Sequence, residues 1–335
     1  MASEIENPAA SRPARRESWS RYWSGGVLHS CSTSFEGNYA GEVREFWQRA
    51  AEGLAQHGRV LDIATGNGAL PRLLLDLLPA DSLAVIEAVD LADIRPSWWA
   101  GLDEAQRLRL RFHAGVPAER LPFADAGIDL VLSQFGLEYT DLPRALAEVR
   151  RVLRPGGRLA LVVHARDSLI VGQAREELAH LDWLQGDSGP IDLAGALLAP
   201  AARTATAAGR AALGLDPQAN ALRERFNRAM AEASARARTS PCPDLLFETR
   251  DGIAAALAAS ARSGQASAGA TLLAELAQLR ADSELRLREL VDCALDRAGV
   301  EALASGIGAG VELLQELRFP NAERLGWGLL ARAAG

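Results

Sequence analysis

The 335-residue chain contains no lysine, so all 36 of its basic side chains are arginine. This excludes chemistry that needs a primary amine: a Schiff-base lysine, a pyridoxal-phosphate anchor or a Walker-type phosphate lysine. Arginine stays protonated; it can clamp a carboxylate but is a poor general base. Cysteine is nearly absent. Cys31, Cys242 and Cys293 are far apart, odd in number and without C-x-x-C spacing, which predicts a reducing compartment and no metal site. Positive charge is not in excess either. The formal net charge is −7 and the pI about 5.4, so there is no electrostatic footprint for nucleic acid, and no nucleic-acid partner is expected. No apolar run approaches the roughly twenty residues of a membrane span; the Ala-rich stretch 193–213 is broken by Pro200, Arg203 and Arg210. Residues 1–16 are polar, lack the apolar segment of a signal peptide and are expected to be disordered, in a cytoplasmic chain.

What is present begins with VLDIATGNGAL at residues 60–70. A short apolar run ends in an acid, a two-glycine turn follows, and Ala69-Leu70-Pro71 opens a helix. Proline suits a first helical turn, where its missing N–H is no loss. Such turns bring the backbone of a parallel α/β domain close to a nucleotide-like ligand, and a Cβ at Gly66 or Gly68 would obstruct that approach and the positive φ it needs. A dinucleotide site wants a third glycine where Pro71 stands, and Asp62 would repel a phosphate. A ligand with a cationic end and a ribose fits better. An ordinary ligand-free β–α turn is the bland alternative.

Further segments follow in order. Residues 82–89 form an apolar strand ending at Asp90, where an acid about twenty residues past the turn commonly accepts from ribose hydroxyls. Arg111-Phe112-His113 is a short strand, 128–133 a fourth, 143–152 a helix, 154–157 a turn and 158–164 a fifth strand.

With VLDIATGNGAL, the acid of AVDLAD, ERLPFADAGIDLVLSQFGLEY and RVLRPGGRLALV in this order between residues 60 and 164, the chain resembles class I S-adenosylmethionine-dependent methyltransferases, in particular the group that includes the ubiquinone/menaquinone C-methyltransferases. Members often carry glycine where this chain has Ala64. The resemblance implies a Rossmann-like, doubly wound, mostly parallel seven-stranded α/β sheet with helices on both faces and S-adenosyl-L-methionine as cofactor. It implies that Asp62 holds the methionine amino group and that backbone at Ala64, Gly66 and Gly68 packs under the methionine part. Asp90 would take both ribose hydroxyls, and Leu91 would flank the adenine. Ala118 and Glu119 would read the adenine edge, and Ser133 and Gln134 would line the floor near the sulfonium. It also makes the N-terminal aromatics a lid, with Tyr39 reaching the cofactor and His29 the acceptor; a plain hydrophobic strap is the alternative.

The domain organisation expected is a disordered 1–16, a lid segment and first helix at 17–58 (the helix over 41–57), a cofactor-binding core at 59–166, an Ala-rich helical insertion at 167–310 and a C-terminal strand hairpin at 311–335 completing the sheet. Helices are expected at 168–184, 191–213, 217–238, 251–263 and 271–297. The insertion serves either as a cap over the acceptor or as a homodimer interface. Methyl transfer needs a base only where the acceptor holds its proton near neutral pH. His164, Tyr139 and His29 are the catalytic candidates, and the acceptor is expected to be a small molecule reacting through O, N or C. Methylation of RNA or protein is the alternative; the N-P-P-Y-type motif of amine-methylating enzymes is replaced here by Ser133-Gln134-Phe135-Gly136. A non-catalytic cofactor binder is a third reading, and a nicotinamide oxidoreductase a distant fourth.

Overall fold

The computed structural model describes residues 11–30, 37–54 and 56–335. Cys31 and Phe35 lie outside the described residues, as does most of the tail expected to be disordered. The elements in chain order are α1 (Arg12–Ser24), α2 (Gly41–Ala51), β1 (Arg59–Ile63), α3 (Ala69–Leu77), β2 (Val85–Asp90), α4 (Glu104–Arg109), β3 (Leu110–Ala114), β4 (Ile128–Gln134), α5 (Leu142–Val152) and β5 (Leu153–His164). Then come α6 (Leu169–Gln185), α7 (Pro190–Arg203), α8 (Ala207–Gly214), α9 (Pro217–Thr239), α10 (Asp244–Ser263), α11 (Ala266–Cys293), α12 (Arg297–Gly306), β6 (Ala309–Arg318) and β7 (Arg324–Ala333). Short 3₁₀ turns cover Ser97–Gly101 and Leu137–Tyr139.

The seven strands form one sheet in the order β3-β2-β1-β4-β5-β7-β6. The first five are parallel, and the hairpin β6–β7 joins antiparallel through β7 against β5. Side-chain alternation explains the two covered faces. Val60, Ile86, Leu130, Leu132 and Val162 pack against Phe46 and Trp47 of α2 and Leu73 and Leu74 of α3. Their neighbours Leu61, Ile63, Val89, Val131 and Leu161 pack against Leu146 and Val149 of α5 and Val300 and Leu303 of α12. The chain order reverses between β1 and β4, and a crevice beyond the carboxyl ends of the strands at such a switch point is where open α/β sheets bind ligands.

The expected architecture holds, with local corrections. Helix α1 begins inside the segment expected to be disordered: Ser11 caps it, its hydroxyl accepting from the Ala14 N–H, and Pro13 stands in its first turn. The helix expected over 41–57 stops at Ala51, and Gly53 follows with φ +74°. The expected turn at 154–157 is a bulge within β5, where pairing to β4 jumps from Leu153 opposite Ile128 to Arg158 opposite Leu130. The helix expected over 191–213 divides where Thr206 caps α8, and the one over 271–297 divides where Asp296 caps α12. Helix α10 starts at Asp244, seven residues before the expected 251.

Contacts divide the chain into two compact units, one of Met1–Val171 with Glu289–Gly335 and one of Gly172–Arg288. The expected insertion at 167–310 is therefore too long. Residues 289–310, including α12, belong to the sheet unit because Val300, Leu303 and Ala304 are buried in its core. The second unit is helical, with Ala194, Leu198, Ile253, Ala256 and Leu276 forming one core and Leu181, Leu184, Leu245 and Leu246 another. Among the described residues no helix is long and apolar enough to cross a membrane.

Candidate cofactor site

The carboxyl ends of β1, β2 and β4 align, with Asp62 opposite Ala88 and Leu132 and Asp90 closing β2. Two cavities lie there. The larger, about 90 Å³, is lined by Ala64, Asp90, Leu91, Ala118, Glu119 and Tyr139 among others. The smaller, about 40 Å³, is lined by Asp62, Thr65, Gln134, Tyr39 and His29 among others. They share Trp19, Trp23, Ala64 and Phe135 as common wall. The first has the groups for a ribose and a base, and the second those for an ammonium and a carboxylate.

Two buried acids set the electrostatics. Asp62 is 1% exposed, and its Oδ2 has no hydrogen-bond partner. Burial pushes its carboxyl up to about 8; the Thr65 hydroxyl pulls the other way and the nearby Asp90 charge adds to the rise. Asp90 is raised to about 6, again by burial, against the pull of two backbone donors. Those donors are the Gly66 N–H to Oδ2 and the Ala92 N–H to Oδ1, both at 2.7 Å. They fix the carboxylate orientation and leave its second lone pairs available. A buried carboxylate with one open oxygen, on the same cavity as Gln134, whose Nε2 is also unpartnered, matches an amino acid end bearing an ammonium and a carboxylate. The residues present therefore fit S-adenosylmethionine.

The glycine turn is tight for reasons that the sequence does not display. Gly66 has φ +54°, and a Cβ there would come within 2.5 Å of the Trp23 ring; Gly68 has φ +77°, and its Cβ would meet Phe112 at 2.6 Å. Packed aromatic rings, rather than the ligand alone, forbid side chains at both. Ala64 takes φ +58°, a left-handed conformation that costs an L-residue about 1–2 kcal/mol. Its methyl lies over Gly136, where any Cβ would collide with it.

Not every expected residue reaches the cavities. Ser133 lines neither; its Oγ donates to the Ile63 carbonyl at 2.8 Å and accepts from the Leu137 N–H at 3.0 Å. It ties the end of β4 to β1 instead of forming the floor. Gln134 does line the smaller cavity, with its Oε1 held by the Trp47 indole. Glu119 accepts from the Asp141 N–H at 3.0 Å and lies 3.6 Å from Arg12. His29 is buried, its Nε2 3.1 Å from the Gly37 carbonyl and its ring stacked on Tyr39 at 4.6 Å; burial lowers its pKa. His164 sits behind the larger cavity. Its Nδ1 is 3.0 Å from Glu138 Oε1 and 3.1 Å from the Tyr139 hydroxyl. Phe135, at φ +53°, stacks on its ring at 4.1 Å. A positive φ on an aromatic residue is an outlier that persists where its surroundings over-determine it.

Helix α1 roofs both cavities. Trp23 covers Gly66, Trp19 packs edge-on against Tyr139 at 6.3 Å, and Asn67 Nδ2 donates to the carbonyls of Trp23 and Val27. Arg16 pairs with Asp93 at 2.9 Å, and Arg15 with Glu289 at 2.6 Å. The lining arginines and Glu289 escaped sequence reasoning. Nothing local connects Arg15 to a residue 274 positions away.

The chain is similar to known methyltransferases over part of its length. A family model described as "Methyltransferase domain" matches residues 61–161. The demethylmenaquinone methyltransferase of Deinococcus radiodurans is 41% identical over 124 residues, covering 35% of this chain and 48% of the relative. The ubiquinone/menaquinone biosynthesis C-methyltransferase UbiE of Stutzerimonas stutzeri is 32% identical over 143 residues, covering 41% and 56%. The chain thus spans about half the length of the curated relatives it matches. Among solved structures, the Burkholderia thailandensis 1,6-didemethyltoxoflavin-N1-methyltransferase covers 98% of this chain and 93% of its own at 14% identity, with a TM-score of 0.48. Residues 61–161 thus match a methyltransferase domain.

Proposed function

We propose that the chain is a methyltransferase that moves the methyl group of S-adenosylmethionine to a small-molecule acceptor by in-line displacement. The observation that carries this reading is the buried Asp62 carboxylate at the end of β1, whose Oδ2 has no partner, beside an Asp90 already oriented by two backbone N–H groups. A pyrophosphate has no use for either acid; an ammonium and a ribose need both.

The bound cofactor supplies a methyl carbon already activated by positive sulfur. Asp62 holds the ammonium, Asp90 accepts from the ribose hydroxyls, Ala64, Gly66 and Gly68 pack under the methionine part, and Gln134 takes its carboxylate. Leu91 flanks the adenine, and Ala118 and Glu119 read its edge. The rings of Trp19, Trp23 and Tyr39 favour a cation between them. Ser133 holds the strand ends in register. Helix α1, whose Trp19 and Trp23 line both cavities, shields the site from water. Where the acceptor carries a proton, His164 takes it. The Glu138 carboxylate needs a donor, which puts the imidazole hydrogen on Nδ1 and leaves the Nε2 lone pair as the base. His29, with a depressed pKa and its Nε2 engaged, positions Tyr39.

Calorimetry of the full chain with S-adenosylmethionine, S-adenosylhomocysteine and NAD in parallel tests the reading. Binding of the first two without the third is expected. Binding of NAD, or of none, overturns it.

A further inference from the structure

Asn67 stands between the two glycines of the cofactor turn, and its side chain bonds outside that turn. Its Nδ2 donates to the Trp23 carbonyl at 2.9 Å and to the Val27 carbonyl at 2.7 Å. Both neighbours are carbonyl oxygens, acceptors only, which fixes the amide with its nitrogen toward them. The residue is 4% exposed, and its Oδ1 is buried with no donor. Its backbone carbonyl accepts from the Trp98 indole at 2.7 Å.

These bonds reach the two tryptophans that close on the turn. The Trp23 ring covers Gly66, and the Trp98 ring lies 2.9 Å from the place of a Gly68 Cβ. The Trp23 carbonyl belongs to the last turn of α1, where carbonyls find no partner within the helix. The Gly26 N–H supplies one donor at 3.1 Å, from a residue at φ +79°, and Asn67 supplies the second. A side chain of the cofactor turn thus caps a helix that ends some 44 positions earlier in the chain. Trp23 also stacks on Trp19 at 5.9 Å. Both rings line both cavities, whereas Asn67 lines neither.

We propose that Asn67 is a positioning residue: through the C-terminal carbonyls of α1 it holds the Trp23 ring over the glycine turn, and so sets how long S-adenosylmethionine or S-adenosylhomocysteine stays bound. The proposal rests on the methyltransferase reading. The amide acts through Trp23 and not on the ligand. Removing the two donors leaves two buried carbonyls short of a partner, which weakens the seat of the ring. Such a change acts on escape more than on encounter, because alterations to a formed contact surface appear mostly in the dissociation rate.

Stopped-flow measurement of S-adenosylhomocysteine association and dissociation on the full chain tests this. Asn67→Ala is expected to raise the dissociation rate about tenfold, with the association rate held within about twofold. Asn67→Asp keeps the shape, lacks both donors and sets a charge against two carbonyls. It is expected to raise the dissociation rate at least as much, and it carries the test if the alanine variant does not fold. Trp23→Ala separates positioning from local support of the turn. Made in that background, the Asn67 change is expected to add less than about twofold, because the ring it acts through is gone; independent effects would multiply. Dissociation within about twofold of wild type in the Asn67 variants, or multiplied effects in the double variant, overturns the proposal and leaves the cofactor reading standing. Failure of the wild-type chain to bind S-adenosylhomocysteine overturns the cofactor reading, and this proposal with it.

Discussion

The two compact units leave different kinds of buried group without a partner. In the sheet unit, three buried carboxylates keep an oxygen without a donor: Asp62, Glu138 and Glu289. In the helical unit no described carboxylate does so. There the buried atoms without a partner are nitrogens, His180 Nδ1 and Arg280 Nε, while Ser240 Oγ donates to Glu176 at 2.7 Å and lies 3.1 Å from His180 Nε2, and Arg280 Nη2 pairs with Glu248 at 3.0 Å. An unpaired buried acid costs about 1–3 kcal/mol or more. All three open carboxylate oxygens fall in the sheet unit, where the candidate cofactor site lies.

The comparison can be broken most severely at the glycine turn. Gly68→Val drives a branched side chain into Phe112 and Trp98 at φ +77°. It is expected to abolish S-adenosylhomocysteine binding by calorimetry and to cost about 3 kcal/mol in urea unfolding. Retained affinity would refute the assigned role of the turn.

Asp62→Asn is next, with affinity for S-adenosylhomocysteine falling about 100-fold. Wild-type affinity is expected to rise up to about tenfold per pH unit toward pH 8, because the ammonium binds the ionised carboxylate of a group whose free pKa is about 8. Binding at pH 7 then releases a proton, visible as a buffer-dependent calorimetric enthalpy, and the variant loses that release. For folding the sign is reversed. Both acids have pKa values raised above the unfolded value. Their contribution is complete below about pH 4 and is lost as pH rises through about 6 for Asp90 and about 8 for Asp62, by at most about 1.4 kcal/mol per pH unit each. A free chain that grows more stable between pH 5 and pH 8 on these groups' account would contradict the assignment.

His164→Ala is expected to lower kcat about 100-fold with a proton-bearing acceptor, with cofactor affinity unchanged. Unaltered turnover would make His164 a structural residue. The smallest effect belongs to the helical unit. Ser240→Ala removes the bonds to Glu176 and His180 and should cost about 1 kcal/mol of stability with no change in S-adenosylhomocysteine affinity. A loss of affinity as large as that of Asp62→Asn would erase the contrast between the units.

How much of this was legible follows from how local each signal is. Strands β1, β2, β4 and β5 announce themselves as apolar runs ending in acids or turns, and the bend at 64–68 by its glycines. Asp62 and Asp90 stand where the motif spacing put them. The hairpin at the C-terminus was expected from the resemblance despite Leu313-Leu314 and Leu329-Leu330, which do not alternate; β7 lies between β5 and β6, so the near-unbroken apolar run it carries is buried on both faces. Non-local facts were invisible. Ser133 is consumed by a carbonyl on the neighbouring strand, Arg15 by a carboxylate near the other end of the chain. The positive φ of Phe135 leaves no mark in composition. Polar residues 11–16 suggested a frayed tail because their partners, Glu119, Asp93 and Glu289, lie elsewhere in the sequence.

The methyl of Ala64 over bare Gly136 has a consequence for variation at this fold's crossing point. The two positions share room for a single carbon, so Ala64→Gly would relieve the backbone and vacate space that Gly136→Ala alone could never enter. The change at 64 stands on its own, whereas the harmful single change at 136 becomes milder only once 64 has given way.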